Sequence, residues 1–212
     1  MVCNFMDIKR AKEIIEENKK TYNEVAEDFY QTRRKYSSET EELKAYVKEN
    51  EKVLDLGCGT GRLYEIFKDK GVDYTGIDFS EELIKIAREK HGDRFIVGDI
   101  LSLPFPDKNF DSVWSIAVLH HIPSKELRKR TLGEIRRVLK PNGRVIVTCW
   151  KLKSFFRKDV FIPFHGKQRY YHIFTKRELE KLFKESGFKI EESRFLKRNN
   201  KKTNILIIAK KL

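Results

Sequence analysis

Short apolar runs alternate with amphipathic patterns through the middle of the chain, from about residue 51 to residue 150. The apolar runs have the length of buried strands, whereas the stretches between them repeat apolar residues every three or four positions, as helices do. This alternation predicts a parallel sheet with right-handed crossovers and helices on both faces. The predicted strands are 53–56, 74–77, 95–97, 110–117 and 144–150, and the helices between them are 61–70, one capped by Ser80, and 125–139.

The first fifty residues carry helical patterns with no strand between them. The pattern Thr21-x-x-Glu24 predicts a capping box that opens a second helix within residues 7–35. A third helix is predicted from Ser38 to about Val47. We therefore interpret residues 1–50 as an N-terminal helical cap.

The chain after residue 150 departs from the alternation. Residues 151–174 form a long connection rich in Lys, Arg, Phe and Tyr, and connections of this length are usually functional. A capping box at Thr175 opens the last helix, and Gly187 ends it. Two β runs, 188–195 and 203–209, predict an antiparallel hairpin on the sheet edge.

These segments predict one α/β domain over residues 1–212, with a doubly wound, seven-stranded, mostly parallel sheet and a C-terminal antiparallel hairpin. Within it we expect a core at 51–150, an insertion at 151–174, and the last helix and hairpin at 175–212.

The first strand of the core runs into three glycines at alternate positions, Gly57, Gly59 and Gly61. A strand that enters a helix through such a turn lets a ligand approach backbone N–H groups. A dinucleotide site needs Gly-x-Gly-x-x-Gly, but its third glycine would fall on Arg62 or Tyr64. The spacing therefore argues against NAD and FAD, and no P-loop pattern is present.

Acidic residues follow the next two strands. Asp78 stands about twenty residues beyond the glycines, where an acceptor for a ribose diol is expected, and Asp99 follows the third strand. With Asp55 and the glycines, this order resembles the class I S-adenosylmethionine-dependent methyltransferases. The resemblance implies a Rossmann-like fold and S-adenosylmethionine as the cofactor. It implies that the cofactor is bound by Asp55, Gly57, Gly59, Gly61, Asp78, Phe79, Asp99, Ile100 and Ser115.

The excess of basic residues indicates an anionic binding partner. The formal net charge of +13 suits a polyanion such as RNA, although a Lys- and Glu-rich thermophilic surface would also contain many charges. The three cysteines are widely spaced, so we expect neither a disulfide framework nor a metal site. With no membrane-length apolar run and no recognisable signal peptide, we expect a cytoplasmic protein without a membrane partner.

Three further pieces of the chain resemble the tRNA wobble-uridine carboxymethyl methyltransferases. They are Tyr22–Phe29 with Gln31-Thr-Arg-x-Lys35, the run Ser115–His121, and Cys149-Trp150 followed by 159–163 and Tyr170-Tyr171-His172. The resemblance implies methyl esterification of 5-carboxymethyluridine at position 34 of a tRNA anticodon loop. It also implies a heterodimer with a small zinc-binding activator protein. Arg34 departs from the family pattern, which has an aromatic residue there.

A carboxylate acceptor is ionised at neutral pH, so its methylation needs alignment and an anion site rather than a general base. The residues predicted to be catalytic are Arg33, Lys35, His120 and His121, and those predicted to bind substrate are Arg169, Tyr170 and His172. The basic hairpin tip at 197–202 is a further candidate for RNA contact. Two alternatives stay open at this point: a methyltransferase acting on a small metabolite, and a catalytically silent RNA-binding scaffold.

Overall fold

The computed structural model describes residues 6–33, 41–152 and 158–212. Its strands are β1 (Lys52–Leu56), β2 (Asp73–Asp78), β3 (Phe95–Val97), β4 (Phe110–Ile116), β5 (Leu139–Trp150), β6 (Asp159–Phe164), β7 (Lys167–His172), β8 (Phe188–Arg198) and β9 (Lys201–Lys211). Its helices are α1 (Ile8–Glu24), α2 (Ala26–Thr32), α3 (Glu81–His91), α4 (Lys125–Val138) and α5 (Lys176–Glu185). No helix among these described residues is both long and apolar enough to cross a membrane.

Seven strands form one sheet in the order β3-β2-β1-β4-β5-β9-β8. The four strand pairs within β1 to β5 are parallel. The pairs β5–β9 and β9–β8 are antiparallel. This confirms the predicted doubly wound sheet with a C-terminal antiparallel hairpin. Because the strand order reverses between β1 and β4, the crevice at their carboxyl ends is where a ligand is expected.

Apolar side chains lie on both faces of the sheet, because the central strands of a parallel sheet are covered on both sides. Leu54 and Val113 belong to one fully buried cluster, which also receives α4. Val53 and Trp114 belong to a second cluster on the other face, together with Phe67. The strands that end at the crevice are thus fixed from both sides.

Two predicted helix boundaries are wrong. The first helix continues through Thr21 to Glu24 and breaks only at Val25, so Thr21 is not an N-cap. Its hydroxyl instead faces the Gln168 carbonyl of β7 at 3.5 Å. The predicted helix at 61–70 is a short 3₁₀ helix over Arg62–Ile66.

The long connection at 151–174 contains a hairpin of its own, made of β6 and β7. The backbone N–H of Tyr170 donates to Asn18 Oδ1 at 3.0 Å, which ties β7 to α1. Tertiary contact with α1 thus gives this segment regular structure that its sequence pattern alone does not indicate. Of the predicted third helix, Ser38 lies outside the described residues, and a 3₁₀ turn is present at Leu43–Tyr46.

Candidate active site

The glycine turn after β1 has a left-handed backbone conformation, which residues other than glycine adopt only at a cost in free energy. Gly57, Gly59 and Gly61 all have positive φ angles, of 74°, 55° and 75°. A Cβ at Gly57 would lie 2.8 Å from Val118 Cγ1 and closer still to Cγ2, so the turn packs tightly against the end of β4. A Cβ at Gly59 would meet only the Phe29 ring, at 3.5 Å. The missing side chain of Gly59 therefore leaves room on the cleft side of the turn.

Replacing Gly57 with Ala should destabilise the protein by about 2 to 4 kcal/mol, because it adds left-handed strain to an overpacked contact. The free energy of unfolding, measured in urea, checks this. The double variant Gly57→Ala/Val118→Ala should regain the part of the stability that is lost to the steric clash, but not the part that is lost to backbone strain. Gly133→Ala is the matched control. Gly133 lies within α4, and an added Cβ would have no heavy atom within 4 Å. This substitution should stabilise the protein slightly. Equal effects at the two glycines would contradict the prediction.

Buried carboxylates surround this turn. Asp78 accepts the backbone N–H groups of Gly59 at 2.9 Å and Ser80 at 3.0 Å, yet burial raises its pKa to about 6. Burial likewise raises the pKa of Asp55 to about 7, although the Tyr74 hydroxyl donates to it at 2.5 Å. Among the described residues, no Lys or Arg forms an ion pair with either carboxylate. Their remaining lone pairs are suited to donors on a ligand.

One cleft joins this acidic end to a second, basic end under α1 and the β6–β7 hairpin. Seven of the nine residues predicted to bind the cofactor line it, whereas Gly61 packs against Phe95 and Ser115 is buried within β4. The lining of the acidic end includes Asp55, Gly57, Gly59, Arg62, Asp78, Phe79, Asp99 and Ile100, and that of the basic end includes Asn18, Tyr22, Phe29, Arg33, His121, Trp150, Arg169 and Tyr171.

Two guanidinium groups meet at the basic end. Arg33 Cζ lies 4.3 Å from the Phe29 ring centroid and 4.8 Å from that of Phe164, and Arg169 Cζ lies 4.3 Å from Phe164. Burial and then the charge of Arg169 lower the pKa of Arg33. Arg169 is itself only 3% exposed. Within residues 6–33, 41–152 and 158–212, no carboxylate forms a salt bridge with either arginine.

A hydrogen-bond chain fixes the protonation of His121. Its Nδ1 lies 2.9 Å from the Tyr170 carbonyl oxygen, which can only accept, so Nδ1 carries the proton. Its Nε2 therefore accepts from the Tyr22 hydroxyl at 3.1 Å, and Arg169 Nη1 donates to the same hydroxyl at 3.3 Å. Burial lowers the pKa of His121 to about 4. The neutral ring thus positions Tyr22 and Arg169 and is not a cation at neutral pH.

Three side-chain atoms at this end lack a hydrogen-bond partner, and one of them is the Tyr171 hydroxyl oxygen. Asn18 uses Oδ1 to bind Tyr170, but its Nδ2 is buried without a partner. Arg169 Nε is likewise buried without a partner. Buried donors of this kind are rare in folded proteins because each costs about 1 to 3 kcal/mol. All three residues line the cleft.

Several residues predicted at the acceptor site lie elsewhere. His120 is 1% exposed, stacks on Tyr171 with ring centroids 5.1 Å apart, and does not line the cleft. Tyr170 is buried with its hydroxyl bonded to Asp159 and the Pro123 carbonyl. His172 is held by Asp159 at 2.7 Å and Glu178 at 2.9 Å. These three anchor the β6–β7 hairpin. Lys35 lies outside the described residues.

The structure adds residues to the site that sequence reasoning missed. Asn18 and Tyr22 are one turn apart on α1 and present the same face to the cleft. Tyr171 stacks on Trp150 at 5.2 Å and closes the far wall. A polar Asn and a Tyr hydroxyl on the buried stripe of a predicted helix are the only signals that could have pointed to α1.

Comparison with known proteins identifies the architecture. Residues 54–147 match the family model described as a methyltransferase domain. A protein of Encephalitozoon cuniculi, named as a methyltransferase without a stated substrate, is 34% identical over 184 residues, which are 80% of this chain and 85% of that protein. The chain belongs to the class I S-adenosylmethionine-dependent methyltransferases. Its cofactor is S-adenosylmethionine, whose amino and hydroxyl donors match the unpaired carboxylates of the acidic end.

A relative with a more specific name matches a shorter part of the chain. The Xenopus tropicalis tRNA (carboxymethyluridine(34)-5-O)-methyltransferase alkbh8 is 33% identical over 140 residues, which are 66% of this methyltransferase. The matched part is only 22% of that relative's own length. Similarity to this relative therefore covers the methyltransferase fold and not the whole of the longer protein.

Solved structures agree with the fold. A Methanosarcina mazei S-adenosylmethionine-dependent methyltransferase has a TM-score of 0.70 at 26% identity, covering 80% of this chain and 96% of that one. The methyltransferase solved in complex with the Haloferax volcanii Trm112 activator has a TM-score of 0.69 at 21% identity. That match covers 91% of this chain and 96% of that one. At this identity it bears on the fold alone.

Proposed function

We propose that this methyltransferase esterifies a carboxylate on tRNA, that of 5-carboxymethyluridine at position 34. The observation that carries the proposal is the basic end of the cleft. Arg169 is buried there with no carboxylate partner among the described residues, and it lines the cleft together with Arg33 and Asn18. A planar anion such as a carboxylate can accept from a guanidinium and an amide together.

The two ends of the cleft have opposite charge. Asp55 and Asp78 are buried at one end, and Arg33 and Arg169 at the other. S-adenosylmethionine supplies a methyl group already activated by its sulfonium charge. The acidic end suits this cation and the basic end suits an anionic acceptor, so the charge pattern sets which molecule lies where.

Each cofactor-side residue has a proposed role. Asp78 accepts the ribose hydroxyls while its backbone bonds to Gly59 and Ser80 hold it still. Asp99 accepts the adenine amino group, and Ile100 packs against the ring. Gly57 lets the turn pack against Val118, and Gly59 keeps the turn free of a side chain on the cleft side.

No general base is needed, and neither Cys58 nor His121 is suited to act as one. The acceptor carboxylate has an ordinary pKa near 4 and is already ionised. Burial raises the pKa of Cys58 well above its ordinary value, and both ring nitrogens of His121 are occupied. The residues instead orient the acceptor and exclude water, which is how alignment lowers a barrier. Arg33 and Arg169 hold the anion, and Tyr22 and His121 hold Arg169.

Two further observations favour tRNA over a small metabolite. The net charge of +13 suits a large polyanion, and the Xenopus tropicalis relative is named for this tRNA reaction. We also propose that the protein forms a heterodimer with a small zinc-binding activator. A methyltransferase of the same fold was solved in complex with an activator.

The test is methyl transfer to total tRNA with labelled S-adenosylmethionine, with and without the activator. The label should enter position 34 and leave as methanol in mild alkali, because esters hydrolyse and N- or C-methyl groups do not. The control tRNA lacks the carboxymethyl group and should take up none. Base-stable label would contradict an ester. Turnover of a small molecule unaffected by tRNA would favour the metabolite alternative, and cofactor binding without turnover on any RNA would favour the scaffold.

A further inference from the structure

The β8–β9 hairpin ends in a basic tip, Lys197–Lys202, which projects from the same edge of the sheet as the cleft. Trp150, the last residue of β5 and part of the cleft wall, pairs with Asn204 of β9. Because β9 is antiparallel to β5, Lys202 and Lys201 continue past Trp150. At about 3.3 Å per residue they lie roughly 7 to 10 Å beyond the cleft wall.

The register of the tip places like charges opposite each other. Lys197 pairs with Lys202, and Arg198 pairs with Lys201. Like charges at directly opposed positions destabilise a hairpin. Asn199 and Asn200 close the turn with φ angles of 49° and 59°, so a tight two-residue turn holds the four cations together. The tip thus keeps an unfavourable charge arrangement that a bound polyanion would relieve.

The opposite end of the same hairpin shows what a balanced arrangement looks like. Lys189 and Lys210 also face each other there, but Lys210 forms an ion pair with Glu191 at 2.7 Å. Among the described residues, no carboxylate pairs with Lys197, Lys201 or Lys202; Lys202 lies over the Phe195 ring at 4.7 Å. The opposed lysines at the far end therefore have a carboxylate beside them, whereas the three lysines of the tip have none among the described residues.

We infer that this tip is a phosphate-binding finger that grips the tRNA backbone beside the nucleotide held in the cleft. The inference rests on the proposed function, since it takes tRNA as the substrate. Exposed lysines on a short rigid turn suit the sugar–phosphate backbone, which a protein contacts to set register without reading sequence. The finger would therefore contribute affinity and position but no chemistry.

The test compares two triple variants of equal charge. The finger variant is Lys197→Gln/Lys201→Gln/Lys202→Gln, and the control is Lys181→Gln/Lys184→Gln/Lys189→Gln, three exposed lysines near the opposite end of the hairpin. Affinity for tRNA is measured by fluorescence anisotropy between 50 and 200 mM salt. If each finger lysine neutralises one phosphate, wild-type affinity should fall about 20- to 40-fold more over this range than that of the finger variant. The control should follow the wild type.

Turnover separates this inference from the proposed function. On the free nucleoside 5-carboxymethyluridine, which has no phosphate for the finger to bind, the finger variant should match the wild type in kcat and KM. On whole tRNA its KM should rise and its salt dependence flatten. Equal salt slopes for wild type and finger variant, or an equal loss in the control, would overturn the finger. Wild-type protein that binds tRNA with the expected slope but esterifies neither substrate would refute the proposed function and leave the finger standing.

Discussion

Replacing Arg169 with Met should lower kcat/KM for tRNA by about 100-fold or more while leaving the protein as stable as the wild type, or more stable. Truncating one partner of a buried, hydrogen-bonded charge pair costs about 2 to 5 kcal/mol of binding, so the acceptor should be held far less well. Stability should respond in the opposite sense. Arg169 is a buried cation without a carboxylate partner among the described residues, and an apolar residue of similar volume removes that burden.

Three measurements check this prediction. Initial rates on tRNA give kcat/KM, calorimetric titration gives the affinity for S-adenosylmethionine, and urea unfolding gives stability. Cofactor affinity should stay within about twofold, because Arg169 lies at the other end of the cleft. Arg169→Lys should recover only part of the activity, since an ammonium keeps the charge but not the planar fork.

Arg194→Met is the matched control. Arg194 forms ion pairs with Glu42 at 2.9 Å and Glu192 at 2.6 Å on a partly exposed surface. Its removal should cost at most a little stability and no activity. If Arg169→Met were instead destabilised and still fully active, Arg169 would be a structural residue and the anion site would be wrong.

The cofactor end of the cleft could be predicted because its signals are local. Positive φ angles at Gly57 and Gly59 follow from the tight turn that leaves β1, and a turn of that kind leaves a glycine pattern in the sequence. Asp78 and Asp99 follow directly after their strands, so a correct strand prediction carries them to the sheet edge. Each signal depends on only a few neighbouring residues.

The acceptor end could be predicted only in part because it is assembled from distant segments. Asn18 and Tyr22 come from α1, His121 from the turn after β4, and Arg169 from β7. Nothing local tells which of two adjacent histidines faces the cleft. The 3₁₀ turn at Leu119–His121 turns the His120 ring towards Tyr171 and leaves His121 to meet Tyr22.

Errors in helix boundaries have the same origin. Thr21 resembles an N-cap in sequence, but it lies inside α1 with its hydroxyl towards β7. A hairpin packed on α1 makes a continuous helix the better solution there, so tertiary packing overrides the capping signal. The division of the chain into cap, core and insertion stays a prediction, although the hairpin at 159–172 and α1 together form the roof of the acceptor end.

Replacing Asp78 with Asn should weaken S-adenosylmethionine binding by about 3 kcal/mol, or about 150-fold, because two hydroxyl groups lose a charged acceptor. The variant should still fold. At neutral pH the ionised Asp78 carboxylate costs the fold about 3 kcal/mol, since burial raises its pKa from 3.8 to about 6. Asn removes that cost, but its NH₂ group leaves one of the backbone donors of Gly59 and Ser80 without an acceptor, which costs about 1 to 3 kcal/mol. The two effects offset each other, so loss of binding would not reflect unfolding.

The pH dependence of cofactor affinity distinguishes the effect of the Asp78 charge from the effect of its side-chain shape, which Asn shares. A carboxyl with a raised pKa makes the ligand-free fold most stable at low pH, and that stability is lost as pH rises through about 6. The cofactor needs both carboxylates ionised, so wild-type affinity should begin to fall below about pH 7 as Asp55 takes up a proton, and should fall more steeply below about pH 6 as Asp78 does. In Asp78→Asn the limb near pH 6 should vanish, and the remaining limb from Asp55 should move to lower pH, because the Asp78 charge that helps to raise the pKa of Asp55 is gone. Titration calorimetry between pH 5 and pH 8 measures both limbs. An Asp78→Asn variant that binds the cofactor like the wild type, or that keeps both limbs, would remove Asp78 from the cofactor site.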